Sequence, residues 1–140
     1  MRTASRELLA SRADVWAFLA EPYHLSDWWP RIRGVEPDRR GFAPGARWRV
    51  LALERMPLMG WREPRNPITL VIGEIEPYER WTWHLTGSSP IDVEVRLSAA
   101  APDRTVVTIG VAGNRFAAPA KLARQAADRL YDLVQTAAEM

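Results

Sequence analysis

The chain has 140 residues, 47% hydrophobic and 26% charged, with no cysteine and a formal net charge of +2. That profile excludes disordered and collagen-like chains, and the missing cysteines exclude disulfides, thiolate chemistry, iron–sulfur clusters and Cys-ligated zinc. The length matches one domain over residues 1–140, no apolar run nears the ~18 residues of a membrane helix, and the small net charge does not imply nucleic-acid binding.

In chain order, Thr3–Ala10 reads as a short strand, and no apolar signal core stands before it, which points to a cytoplasmic protein. Ser11 reads as a helix cap with Asp14 in the first turn, and the helix stops before Glu21-Pro22 because a residue preceding proline avoids helical geometry. A second short helix around Tyr23–Asp27 leads to Trp28-Trp29-Pro30. The period then changes to two, with strands expected at Ile32–Pro37, Ala46–Leu53, Ile68–Ile75, Arg80–Leu85, Ile91–Ala99 and Thr105–Ala112. Ile91, Val93, Val95 and Leu97 alternate with Asp92, Glu94 and Arg96, giving one dry and one wet face. Trp81, Trp83 and Leu85 oppose Arg80, Thr82 and His84 in the same way, and Trp48, Val50 and Ala52 form the more apolar set of their strand. From Pro119 to about Glu139 the chain predicts one helix of roughly 31 Å, with Leu122, Ala126, Leu130, Leu133/Val134 and Ala137 on its apolar stripe. Small alanines on that stripe fill space poorly over a broad sheet, which favours a cavity.

Strand, two short helices, six strands and a long C-terminal helix is the order of the α+β helix-grip fold, a curved antiparallel sheet of about six to seven strands wrapped around the helix. The segments Ala10–Pro22, His24–Pro30, Gly34–Pro37 and Pro44–Val50, together with the turn Glu76-Pro77-Tyr78-Glu79-Arg80-Trp81, resemble the START/Bet v 1-like superfamily, in particular its bacterial polyketide cyclase/dehydrase-like branch. The resemblance covers essentially the whole chain. It implies a deep cavity between sheet and long helix for a small hydrophobic or aromatic molecule, lipid- or polyketide-like. The superfamily also holds aromatic cyclases, Hsp90 activators and ribosome-associated factors, so fold does not dictate activity.

Seven tryptophans and eighteen arginines against a single lysine, Lys121, are the compositional oddities. Residues 31–65 hold nine arginines against four acids, a local +5, leaving −3 for the rest. Trp48, Trp81 and Trp83 are candidate cavity walls, with Val93 and Val95 beside them and Leu122 and Ala126 on the helix opposite. An inward arginine, Arg47 or Arg49, could pair a carboxylate or enolate, subject to a strand register that the sequence leaves open. The stretch Arg55–Pro67 is long for a hairpin connection, and Met56, Met59 and Trp61 suit a flap at the cavity mouth, packing on the chain's own sheet or a homodimer contact.

Chemistry has few candidates. With only His24 and His84, a histidine-rich metal site is excluded, and no cofactor motif is present. His84 is the candidate general base, with Glu74 as its orienter. The alternation nevertheless turns it to water unless a bulge intervenes. Three functions of different class follow: a cavity-forming binding protein, a polyketide cyclase/dehydratase-type enzyme, and a macromolecule-docking module resembling the Hsp90-activator or RNA-associated branches. Abundant apolar lining without a convergent acid–base pair favours the first.

Overall fold

In the computed structural model, residues 1–54, 61–62, 67–87, 89–114 and 117–139 are described. Strand β1 (Arg2–Leu8) leads into helix α1 (Arg12–Ala20), a 3-10 turn (Pro22–His24) and helix α2 (Leu25–Trp28). Ser11 caps α1 by accepting the Asp14 N–H at 3.2 Å, and Glu21, held extended before Pro22, ends it. Strands β2 (Val35–Pro37), β3 (Arg47–Val50), β4 (Leu53–Glu54), β5 (Trp61–Arg62), β6 (Thr69–Glu76), β7 (Arg80–Leu85), β8 (Ile91–Ala101) and β9 (Arg104–Gly113) follow, before helix α3 (Leu122–Glu139). Seven of these strands form one antiparallel sheet in the order β1-β9-β8-β7-β6-β3-β2. With α3 packed on that sheet, the architecture is the α+β helix grip.

Two strands are shorter than their apolar patterns predict. Gly34, at φ 92°, turns the backbone and interrupts the regular β2–β3 ladder. Pairing continues beyond it as isolated bonds from Leu51 N–H to Gly34 O at 3.0 Å and from Arg33 N–H to Ala52 O at 2.9 Å. Strand β4, just before the predicted flap, pairs with β5 inside it, and Ile32 bridges to Leu53.

A β-bulge in β6 controls which side chains face inward. Ile72 pairs with Trp83 but Ile75 with Trp81, so β6 carries one extra residue there. The extra residue changes parity: Leu70 and Ile72 face the core, and Ile75 returns to that side while Glu74 and Glu76 face out. Gly73 fits because Thr82 sits against it; a Cβ at Gly73 would lie 2.5 Å from Thr82 Oγ1. The same hydroxyl accepts the Glu74 N–H at 2.8 Å.

Helix α3 buries Leu122, Ala123, Ala126, Ala127, Leu130 and Val134. On its outer side Arg6 of β1 holds Asp128 at 2.5 Å and lies over the Tyr131 ring at 3.9 Å, a cation–π contact that ties the sheet edge to the helix. Among the described residues no helix is long and apolar enough to cross a membrane.

Candidate functional site: an apolar pocket beside a tryptophan cluster

Alternation along β3, β7 and β8 brings Trp48, Trp81, Trp83, Val93 and Val95 to the inner face, all buried. From the other side, Trp28 at the end of α2 and Trp29 after it enter the same core. The rings meet largely edge to face: Trp28 and Trp29 at 5.7 Å, Trp28 and Trp81 at 6.2 Å, Trp29 and Trp83 at 4.8 Å between centroids. Such geometry sets the positive edge of one ring against the negative face of another. Phe42 extends the cluster, 5.0 Å from Trp81 and 5.6 Å from Trp16. The space over the middle of the sheet is thus occupied by indoles.

A pocket of about 150 Å³ opens next to this cluster, at the ends of the strands. Its sheet wall is Leu85 at the end of β7 and Ile91 at the start of β8, which pair across the two strands. Leu122, the first residue of α3, and Ala117 close the helix side, while Trp29 and Ile32 face them. Leu53, Ser89 and Arg31 also line it, so among the described residues the walls are apolar apart from one hydroxyl and one guanidinium. The arrangement suits an apolar body held by shape, with few directional contacts.

Of the residues singled out from sequence, Leu122 lines this pocket. Trp48, Trp81, Trp83, Val93, Val95 and Ala126 lie in the packed interior beside it. Arg49 points outward, because Trp48 and Val50 take the inner face of β3; its guanidinium donates to Glu36 at 2.8 Å on the solvent side. Arg47 is exposed as well. Met56 and Met59 lie outside the described residues, and Trp61 is described only through the backbone pairing of β5.

His84 is on the outer face, with Nδ1 2.7 Å from Asp92 Oδ1. Glu74 does not orient it and is bound instead by Arg80. Arg80 also donates to Glu94 at 2.9 Å and contacts Glu76 at 3.4 Å, and Arg96 reaches Glu94 at 2.6 Å. The Arg96 and Arg80 guanidiniums hold the Glu94 carboxyl below its ordinary range, while Glu74 and Glu94 push Arg80 up. This network braces three strands on the face opposite the pocket. Among the described residues no group of three or more His, Cys, Asp or Glu could hold a metal.

Trp29, Ile32, Leu85, Ile91, Ser89 and Ala117 were not singled out from sequence as site residues. The alternation did put Leu85 and Ile91 on the inner face, but it cannot tell a strand's filled middle from its open end.

The family model described as "Polyketide cyclase / dehydrase and lipid transport" matches residues 2–138. No curated protein matches the chain by sequence. Among solved structures, the protein XoxI from Bacillus cereus is 11% identical with a TM-score of 0.68, the alignment covering 97% of this chain and 96% of that one. The di-domain ARO/CYC StfQ from the steffimycin biosynthetic pathway is 12% identical with a TM-score of 0.71, covering 99% of this chain and 46% of the other. Norcoclaurine synthase from Thalictrum flavum, solved with dopamine and hydroxybenzaldehyde, is 13% identical with a TM-score of 0.66, covering 96% and 85%. At these identities the structural likenesses establish the fold, while the family match extends over nearly the whole sequence. The chain therefore belongs to the polyketide cyclase/dehydrase and lipid transport family, within the START/Bet v 1-like superfamily.

Proposed function

We propose that this protein binds a small hydrophobic or aromatic molecule in the pocket between the sheet ends and the start of α3. The observation that carries the reading is the pocket itself, about 150 Å³ and lined by Leu85, Ile91, Leu122, Trp29 and Ile32. An apolar cavity of comparable size accepts a single benzene ring. A ligand of one ring matches that volume. Membership of a family described for polyketide cyclases, dehydrases and lipid transport supports the same reading.

The enzymatic alternative has less to draw on. Among the described residues the polar side chains on the pocket wall are Arg31 and Ser89, and the candidate base His84 is paired with Asp92 on the outer face of the sheet.

The test is quenching of tryptophan emission by a single-ring aromatic such as nitrobenzene, with the wild type compared against Ala117→Phe. Ala117 lines the pocket and is only half-buried, so phenylalanine fills the mouth without overpacking the core. Saturable quenching in the wild type and only linear, collisional quenching in the variant is the expected result. Equal saturable binding by both removes the pocket from the account.

A further inference from the structure

Six aromatic rings form an unbroken line from the pocket wall to the opposite end of β7. Trp29, which lines the pocket, lies 4.8 Å from Trp83, and Trp83 lies 6.3 Å from Trp81. Trp81 meets Phe42 at 5.0 Å, Phe42 meets Trp16 at 5.6 Å, and Trp16 meets Tyr78 at 6.2 Å, all between ring centroids. The line begins in the core, with Trp29, Trp83 and Trp81 at most 2% exposed. It ends in the turn between β6 and β7, where Tyr78 is 48% exposed.

Tyr78 holds that place against its backbone preference. Its φ of 67° lies in the left-handed region, which suits glycine and is unusual for a bulky side chain. Tyr78 is the one non-glycine residue there among the described residues, and such outliers cluster at functional sites.

Electron transfer falls off steeply with distance, and each step along this line is a single ring contact. Indole and phenol give up one electron more readily than the other side chains of a chain without cysteine. Phe42 is harder to oxidise and acts as a bridge between Trp81 and Trp16. An oxidised indole comes to rest by losing its N–H proton. Trp28, Trp81 and Trp83 have no acceptor for that proton among the described residues, and the Gly41 carbonyl that accepts the Trp48 N–H is a very weak base. A positive charge is disfavoured in such an apolar interior. The oxidising equivalent therefore moves on to Tyr78, whose exposed hydroxyl gives its proton to water.

We propose that the tryptophan core is an electron relay through which Tyr78 reduces a one-electron-oxidised aromatic, such as a phenoxyl radical, held in the pocket. The phenoxyl radical takes one electron from Trp29 and becomes a phenolate. Tyr78 supplies that electron along the line, loses its O–H proton to water and becomes a neutral tyrosyl radical. A soluble thiol restores it by giving up a hydrogen atom. The Trp29 end rests on the pocket being the ligand site, whereas the run from the core to Tyr78 stands without it.

Laser photoionisation of the indoles in the free protein tests that run, because it creates the oxidised indole with no ligand present. A delayed rise of tyrosyl absorption should match the decay of indolyl absorption, at a rate independent of protein concentration. Tyr78→Phe keeps a ring against Trp16 and should abolish the delayed rise. Tyr23→Phe and Tyr131→Phe should leave it unchanged, since among the described residues neither ring contacts the line. A delayed rise that survives Tyr78→Phe, that quickens with protein concentration, or that is absent from the wild type overturns the relay and leaves the pocket reading intact. The pocket end is tested with nitrobenzene, which takes an electron from an excited indole beside it, under excitation too weak to photoionise. A Tyr78-dependent tyrosyl signal that saturates with nitrobenzene is expected. Its absence, while nitrobenzene binds saturably and photoionisation still oxidises Tyr78, overturns Trp29 as the entry point. Absence of saturable nitrobenzene binding removes the pocket reading and the oxidant's site with it.

Discussion

Trp29 meets Trp83 edge to face, with centroids 4.8 Å apart and planes at 77°, and of the two rings only Trp29 reaches the pocket wall. One side chain thus belongs both to the packed core and to the candidate ligand site. Replacing it by alanine should cost about 3–5 kcal/mol of stability in urea unfolding, the usual range for a buried tryptophan truncated to alanine. The vacated space joins the pocket, so an added apolar compound such as toluene should raise the melting temperature more in Trp29→Ala than in the wild type. An equal or smaller ligand shift in the variant would show that Trp29 does not bound the site.

Gly73 and Thr82 set the bulge that returns Ile75 to the inner side, and a Cβ on Gly73 meets the Thr82 hydroxyl at 2.5 Å. Gly73→Ala should destabilise by about 1–3 kcal/mol, as overpacking does. Because the strain and the Glu74 N–H bond share one hydroxyl, Gly73→Ala and Thr82→Ala should be non-additive, with the double variant more stable than the sum of the singles predicts. Additive losses in urea unfolding would refute this local account.

The helix-grip order was legible because its signals are local. Ser11, Glu21-Pro22 and the alternation from Ile91 to Leu97 each specify an element within a few residues, and the α1, β7 and α3 regions lie where those signals put them. The inner set Trp48, Trp81, Trp83, Val93 and Val95 was legible for the same reason: period-two alternation assigns faces. What alternation cannot supply is packing between distant segments. Trp28 and Trp29 arrive from α2 and occupy the space over β7, so the pocket is displaced to the strand ends, lined by Leu85, Ile91, Ala117 and Ser89. The β6 bulge was equally hidden, because Gly73 in a strand signals irregularity only once its partner Thr82 is known.

Thr105 is wholly buried, and its hydroxyl donates to the Ala10 carbonyl at 2.9 Å, fixing the turn between β1 and α1. Thr105→Val keeps the shape and leaves that carbonyl without this donor, which should cost about 1–3 kcal/mol. Ser11→Ala, which removes the adjacent cap, should cost about 1 kcal/mol. Denaturant midpoints of the two variants provide the check, and a loss larger for Ser11→Ala than for Thr105→Val would reverse the expected ranking.

Glu94 accepts from Arg96 at 2.6 Å and Arg80 at 2.9 Å, which lowers its carboxyl pKa from the ordinary 4.5. A carboxylate depressed in the folded state contributes stability that is fully present above its unfolded value and is lost as pH falls through the folded one. Stability should therefore hold from neutral pH down to about pH 4.5 and decline below it, as far as this group is concerned. Glu94→Gln should be less stable at neutral pH and show a shallower acid decline, read as unfolding free energy against pH. An unchanged acid slope would rule out a contribution from this carboxylate.

The pocket is tested most directly by methyl-labelled NMR of the wild-type protein titrated with toluene, a single ring matched to about 150 Å³. Saturable shifts are predicted at the methyl groups of Ile32, Leu53, Leu85, Ile91 and Leu122, the wall residues, with Val107 and Ile109, which face the core on β9 opposite Leu97 and Val95 and do not line the pocket, unmoved. The same titration of Ala117→Phe should leave the wall methyl groups in place. No saturable shift in the wild type, or shifts of equal size at Val107 and Ile109, would contradict the assignment of this pocket as the ligand site.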